Sequence, residues 1–84
     1  MSADHVTLAE LAAEYEQSAE NLTRMMRSRA RKKADALRQG DRRAVWQFEA
    51  DIADLEAQRQ HTLEIAAILR NYYRKKEERT NDEK

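Results

Sequence analysis

A single glycine, Gly40, interrupts a chain that contains no proline. Glycine and proline are the residues that most oppose an α-helix, so a chain with one of them near its midpoint can form two long helices joined by one turn. Asp41 follows Gly40, and this pair predicts a left-handed C-cap for one helix and an N-cap for the next. The sequence therefore predicts an all-α fold, an antiparallel two-helix hairpin that packs like a coiled coil.

The ends of the two helices can also be predicted. Thr7 and Glu10 have the spacing of a capping box, which marks the start of a helix. We expect helix 1 over about residues 8–38, a turn at residues 39–41 and helix 2 over about residues 42–78, with frayed tails. The 84 residues are too few for more than one domain, so they form one helical-hairpin domain. So short a chain buries only about 60% of its unfolded surface, and we therefore expect oligomerisation or a partner.

Apolar residues follow the helical period in both predicted helices. In helix 1 the predicted stripe contains Leu8, Leu11, Ala12, Tyr15, Ala19, Leu22, Met26, Ala30 and Leu37. In helix 2 the predicted seam contains Val45, Phe48, Ile52, Leu55, Ala66, Leu69 and Tyr73, with Arg59 and Thr62 as polar interruptions. A short turn brings the two stripes face to face. Trp46 lies off this seam, and we expect it to cover the end of the core or, alternatively, to stack on a base.

A second apolar stripe lies on the part of helix 2 farthest from the turn. Ile65, Ile68 and Tyr72 recur at i, i+3 and i+7, and Leu63 widens the apolar arc. One facing helix cannot cover both stripes, and an uncovered apolar patch usually marks an interface. The sequence thus predicts a homodimer that completes a four-helix bundle. The alternative is that long side chains of helix 1 cover the extra residues.

The 16 basic and 16 acidic residues cancel in sum but are unevenly distributed. Residues 24–43 carry nine bases and two acids, a net charge of +7, whereas residues 1–23 carry five acids and no lysine or arginine. The helix dipole and ion pairs across the hairpin account for most of this basic segment. Arg42 and Arg43 oppose the dipole of helix 2, so together with Arg38 they are candidate contacts for phosphate or an acidic protein. A solvated charge cluster is the alternative.

Enzymatic and metal-binding functions find little support in the sequence. The chain has no cysteine and only two histidines, His5 and His61. His61 and Glu64 share a helix face, but their order is the reverse of the Glu-x-x-His motif of carboxylate bundles. A two-helix rod also offers no concave pocket and the chain has no glycine-rich phosphate loop. We therefore expect no catalytic residues, no metal and no cofactor.

The overall layout resembles the small helical-hairpin proteins that phages and other bacterial mobile elements often encode. This resemblance rests on the capped segment Thr7-Leu8-Ala9-Glu10-Leu11, the basic turn, and the segment Ala67-Ile68-Leu69-Arg70-Asn71-Tyr72-Tyr73. In architecture alone, the chain is also similar to dimeric helical-hairpin RNA-binding regulators of plasmid copy number. Such small hairpin proteins mostly lack an assigned activity, so the resemblance implies a fold and no site residues.

These observations predict a non-enzymatic adaptor or regulator that acts by protein–protein interaction, as a homodimer and with an unidentified protein partner. One alternative is a nucleic-acid-associated regulator that binds phosphate through residues 24–43. Another is a small inhibitor that masks a partner protein. No run of residues approaches the roughly 20 apolar residues of a membrane span, and the first residues lack the pattern of a signal peptide. We therefore expect a cytoplasmic protein with no membrane partner.

Overall fold

The computed structural model describes the backbone of residues 7–82 and the side chains of residues 7–72. Two helices make up the fold: α1, Leu8–Gln39, with 32 residues, and α2, Arg42–Asp82, with 41 residues. They pack along each other as an antiparallel pair, and residues 7–82 contain no strand. The predicted all-α hairpin is therefore confirmed, while the expected fraying of the first residues lies outside the described part of the chain.

A capping box begins α1, as the sequence predicts. The Glu10 backbone N–H donates to the Thr7 hydroxyl at 3.0 Å, and the Thr7 backbone N–H donates to the Glu10 carboxylate at 2.9 Å. These hydrogen bonds hold the pKa of the Glu10 carboxyl below its usual value, because they favour the charged form. The two bonds satisfy backbone N–H groups that have no partner within the helix.

The turn is built on Gly40, whose φ of 73° is left-handed and is easily adopted only by glycine. The Gly40 N–H donates to the Leu37 carbonyl at 3.1 Å, and the Asp41 N–H donates to the Ala36 carbonyl at 2.9 Å. This pair of bonds is a Schellman motif, which ends α1. The Asp41 carboxylate then accepts a hydrogen bond from the Ala44 N–H at 3.1 Å and caps the start of α2.

Helix α2 continues farther than predicted, to Asp82 instead of about residue 78. Residues 74–79 consist of arginine, lysine and glutamate, which are good helix formers, and no glycine or proline follows Gly40. The backbone of residues 80–82, which we expected to fray, is part of the helix.

The contact between the two helices is thin. Among residues 7–72, five are buried, and four of these are alanines. The buried residues are Ala12, Ala19, Ala36, Leu55 and Ala66. Alanine lets the helices approach closely but contributes little apolar volume, and the larger apolar residues between the helices are mostly half-buried. The rod is 67 Å long and only 13 Å across its thinnest dimension, so the fold is a single layer of helices.

Ion pairs across the hairpin show its register. The Lys33 Nζ lies 3.1 Å from the Glu49 carboxylate. The Arg29 Nε lies 3.9 Å from the Asp51 carboxylate. In each pair the two residues are equally far along the chain from the turn, at residue 40 or 41. This is the antiparallel register that a short turn imposes.

In the half of α1 near the turn, the interhelical contact differs from the predicted stripe. Ala36 is buried and Arg29 and Lys33 are half-buried, whereas the predicted core residues Ala30 and Leu37 are exposed. The physical reason is that long cationic side chains can lie along a neighbouring helix while their charged ends reach its acids. The aliphatic parts of Arg29 and Lys33 therefore lie in the interhelical contact, where we expected apolar residues.

Candidate interaction surfaces

The line of contact between the helices, which we call the seam, separates two broad faces of the hairpin. Residues that are seven positions apart lie on the same face of a helix packed in this way. One face is marked by Arg70, which donates two hydrogen bonds of 2.7 Å to Glu16 across the helices. We call it the Glu16–Arg70 face. The opposite face, the Met25–Ile68 face, contains Leu11, Ser18, Met25, Gln58, Ile65, Ile68 and Tyr72.

The Glu16–Arg70 face is polar and internally paired. The bidentate contact with Arg70 holds the pKa of the Glu16 carboxyl below its usual value, and the same contact raises the pKa of the Arg70 guanidinium. Toward the middle of the rod, the Arg59 Nε donates to the Thr23 hydroxyl at 2.9 Å, and that hydroxyl donates to the Ala19 carbonyl at 3.1 Å. The polar residue Arg59, which interrupts the predicted seam, therefore has a partner on α1.

Leu63 belongs to this polar face and not with the other three residues of the predicted interface. It is half-buried and lines a groove of about 230 Å³ with Glu16, Ala19, Glu20, Thr23 and Arg59. Two residues along a helix correspond to a rotation of about 200°, so Leu63 and Ile65 lie on opposite sides of the seam. The predicted interface is thus reduced to Ile65, Ile68 and Tyr72.

The Met25–Ile68 face carries most of the exposed apolar surface. Met25 is 43% exposed, Ile68 is 66% exposed and Tyr72 is 60% exposed, while Leu11 and Ile65 are half-buried. Uncharged polar residues fill the space between them, namely Ser18, Asn21, Ser28, Gln58 and His61. Glu14 stands at the outer edge of this face, and its other charged residues, Lys32, Asp51 and Asp54, lie toward the turn. Among residues 7–72, the half of the face far from the turn, which we call its open half, is therefore nearly uncharged.

The sequence analysis did not predict the part of this face that α1 contributes. Ser18 and Met25 precede the seam residues Ala19 and Met26 by one position, and serine carries no apolar signal. The informative signal was the shortage of charge at Leu11, Ser18 and Met25 in a chain whose residues are 38% charged. Three uncharged positions spaced seven residues apart on a highly charged helix indicate a face that is kept away from solvent.

The three arginines predicted to contact phosphate lie near one another at the turn but differ in their surroundings. Arg38 lies 2.7 Å from the Asp35 carboxylate, which neutralises much of its charge. Arg42 and Arg43 are exposed, and no ion pair links either of them to another described residue. Two cations at the turn therefore remain accessible to an anion.

Trp46 does not cover the end of the core, because its side chain is 72% exposed. It follows Val45 by one position, and a rotation of about 100° turns it away from α1. Trp46 instead lines an open groove of about 280 Å³ at the turn, together with Leu37, Gly40, Asp41, Arg42, Val45 and Glu49. An aromatic ring, two aliphatic residues and an accessible arginine therefore meet on the turn end of the Glu16–Arg70 face.

The described residues also bear on metal binding and on membranes. Within the part of the chain that the structure describes, no group of three or more histidine, aspartate and glutamate residues is arranged to hold a metal ion. Neither helix, over its described length, has a stretch both long and apolar enough to cross a bilayer.

No known protein family matches the chain, and neither a curated protein nor a solved structure is significantly similar to it. The described residues define a highly charged two-helix hairpin with exposed apolar residues on its Met25–Ile68 face. The resemblance to hairpin proteins of phages and mobile elements stays a prediction.

Proposed function

We propose that this protein is a non-enzymatic helical-hairpin adaptor or regulator that acts through protein–protein contacts and self-associates through the Met25–Ile68 face. The observation that carries this proposal is the exposure of Ile68 and Tyr72 on a surface whose open half is nearly free of charge. Transfer of apolar side chains from water into an interface is favourable, and a contiguous apolar patch on a small protein usually marks a binding surface.

The thin contact between the helices supports the same proposal. Leu55 is the one large apolar side chain among the five buried residues, so the hairpin alone removes little apolar surface from water. The free energy gained is about 25 cal/mol for each Å² of apolar surface buried. A second layer of helices on the Met25–Ile68 face would complete the burial of residues that are now half-buried, such as Leu11 and Ile65. Two hairpins joined in this way form a four-helix bundle.

A pair of adjacent substitutions tests this proposal. Ile68→Glu places a charge in the open half of the Met25–Ile68 face, whereas Ala67→Glu places the same charge one residue away on the exposed opposite side. We expect sedimentation equilibrium at tens of micromolar to give a dimer for the natural sequence and for Ala67→Glu, and a monomer for Ile68→Glu. A monomeric natural protein, or a dimer that tolerates Ile68→Glu, would reject the proposed surface.

Nucleic-acid binding through the turn is a second candidate function, and it is favoured by the accessible cations Arg42 and Arg43. Both lie in the first turn of α2, where positive charge is unfavourable for the helix dipole, and Trp46 is exposed beside them. Contacts with phosphate would offset this cost, because each contact releases condensed counterions from the nucleic acid. An exposed aromatic ring could stack on a base.

The salt dependence of binding tests this second candidate. Binding of a mixed-sequence oligonucleotide should weaken steeply with salt, and the double substitution Arg42→Ala, Arg43→Ala should flatten the slope of log K against log salt by roughly 1 to 2 units. Arg31→Ala, which removes an exposed arginine farther from the turn, is the matched control. Absence of binding to DNA and RNA at about 50 mM salt would exclude this candidate and leave the protein-interaction proposal unaffected.

A further inference from the structure

We infer that the two copies pair with their turns at the same end, so that α1 of each copy packs against α2 of the other along a two-fold axis parallel to the rod. This inference rests on the proposed self-association through the Met25–Ile68 face and specifies its geometry. Two hairpins can stack face to face around a two-fold axis either along the rod or across it. The first choice places the two turns together, and the second places them at opposite ends.

The position of the apolar residues along the rod distinguishes these two choices. Ile68 and Tyr72 lie in the open half of the face; Tyr72 is level with Leu11 on the antiparallel neighbour α1, and Ile68 is level with residues 14–18. With the turns at the same end, α2 of one copy faces α1 of the other at equal height, so Tyr72 meets the partner's Leu11 and Ile68 lies between the partner's Leu11 and the partner's Ser18. Because the contact is two-fold, each copy covers the apolar residues of the other.

The opposite orientation has a cost that the structure makes explicit. It sets α2 against α2 in reverse, so Ile68 and Tyr72 of one copy approach the end of the partner's α2 that carries Asp51 and Asp54. Burying a carboxylate against apolar side chains is unfavourable unless the charge keeps its partners. A shorter overlap centred near Ser18 would set the open halves of the two copies against each other, but it would leave the turn half of each rod unpaired.

The charge pattern is compatible with the orientation that we infer. Residues 24–43 have a net charge of +7, whereas residues 44–58 contain four acids and no base, a net charge of -4. With the turns together, the basic part of α1 lies beside the acidic part of the partner's α2, as it already does within each hairpin at Lys33 and Glu49. The two turns repel each other, but exposed charges are screened beyond about 10 Å at moderate salt.

This arrangement would give the dimer two different ends. Arg42, Arg43 and Trp46 of both copies lie at one end, on the outer Glu16–Arg70 faces and at the turns. A ligand that binds one turn weakly could then engage both turns of the same dimer, because two linked sites act at a high effective concentration. The opposite orientation would separate the two turns by the length of the rod.

Distances between spin labels on the two copies test this inference. The chain has no cysteine, so Gln39→Cys, exposed at the turn, and Asn71→Cys, exposed in the open half, each give one labelling site per copy. Because packed helices lie about 10 Å apart, we expect pulsed dipolar spectroscopy to give distances of about 20 to 30 Å at both sites. Full overlap with the turns at opposite ends would give about 45 Å or more at both sites, since each α-helical residue rises 1.5 Å. The shorter overlap would give such a long distance at Gln39→Cys only.

Sedimentation of the labelled proteins separates failure of the inference from failure of the proposed function. A dimeric mass with a long distance at Gln39→Cys would overturn the orientation and leave self-association intact, whatever the distance at Asn71→Cys. A monomeric mass without a dipolar signal, found also for the unlabelled natural protein, would overturn both. A label that itself disrupts the dimer is recognised because the other labelled variant still sediments as a dimer, and a long distance in that variant overturns the orientation.

Discussion

Glu16 and Arg70 form the only bidentate contact among the described ion pairs, with two hydrogen bonds of 2.7 Å between residues 54 positions apart. The contact keeps the Glu16 carboxyl ionised, so its pKa is lower in the folded chain than its usual value of 4.5. A carboxyl group whose pKa is lowered by folding stabilises the fold above its unfolded pKa. That contribution is lost as the pH falls through the lower, folded value.

We therefore predict that Glu16→Gln destabilises the hairpin in a pH-dependent way. The Tm of the variant should be lower than that of the natural protein at pH 7, and the difference should be smaller at a second, strongly acidic pH, because protonation of the Glu16 carboxyl removes the charge from the contact. Thermal unfolding followed by circular dichroism measures this difference. Glu14→Gln, which alters an exposed glutamate of the same helix, should show no such loss. An equal Tm difference at both pH values would mean that the contact does not depend on charge.

At the scale of the helices, Leu55 and Leu37 show how two residues of one type differ in their contribution to the free energy of unfolding. Leu55 is 8% exposed in the seam, whereas Leu37 is 60% exposed beside the turn. Leu55→Ala should lower the free energy of unfolding by about 2 to 5 kcal/mol, because it removes a large buried side chain. Leu37→Ala should change it by no more than about 0.5 kcal/mol. Urea unfolding at equal protein concentration measures both values, and a larger loss for Leu37→Ala would contradict the seam described here.

The helices and the turn could be predicted from the sequence because their signals are local. Gly40 marks the turn, and Thr7 and Glu10 mark the start of α1 through a spacing of three residues. The seam near the turn could not be predicted in the same way. Arg29 and Lys33 lie in this part of the seam because their charged groups pair with acidic residues of α2. A prediction from apolar spacing alone places charged residues in solvent.

The candidate surface could be predicted in part for a related reason. The spacing of Ile65, Ile68 and Tyr72 follows from one helix and needs no knowledge of its neighbour. Leu63 was assigned to this surface because it is apolar and close in sequence, but the position of α1 decides on which side of the seam it lies. The contribution of Ser18 and Met25 became visible only when the two helices were placed together.

At the scale of the whole molecule, the fold is a layer of two helices with an alanine-rich contact and an exposed apolar face. Such a layer has no enclosed core of its own, and domains usually bury their apolar faces between two layers of secondary structure. If the proposed dimer forms, the stability of the hairpin depends on its association with a second copy. Mass action then requires this stability to rise with protein concentration.

The dependence of Tm on protein concentration shows whether association with a second copy stabilises the hairpin. Circular dichroism melts of the natural protein over a roughly hundredfold range of concentration should show a Tm that rises steadily, because the dimer is favoured at high concentration. The Ile68→Glu variant should unfold at a lower temperature that does not change with concentration. A Tm of the natural protein that stays constant across the range, together with a monomeric mass, would contradict the account.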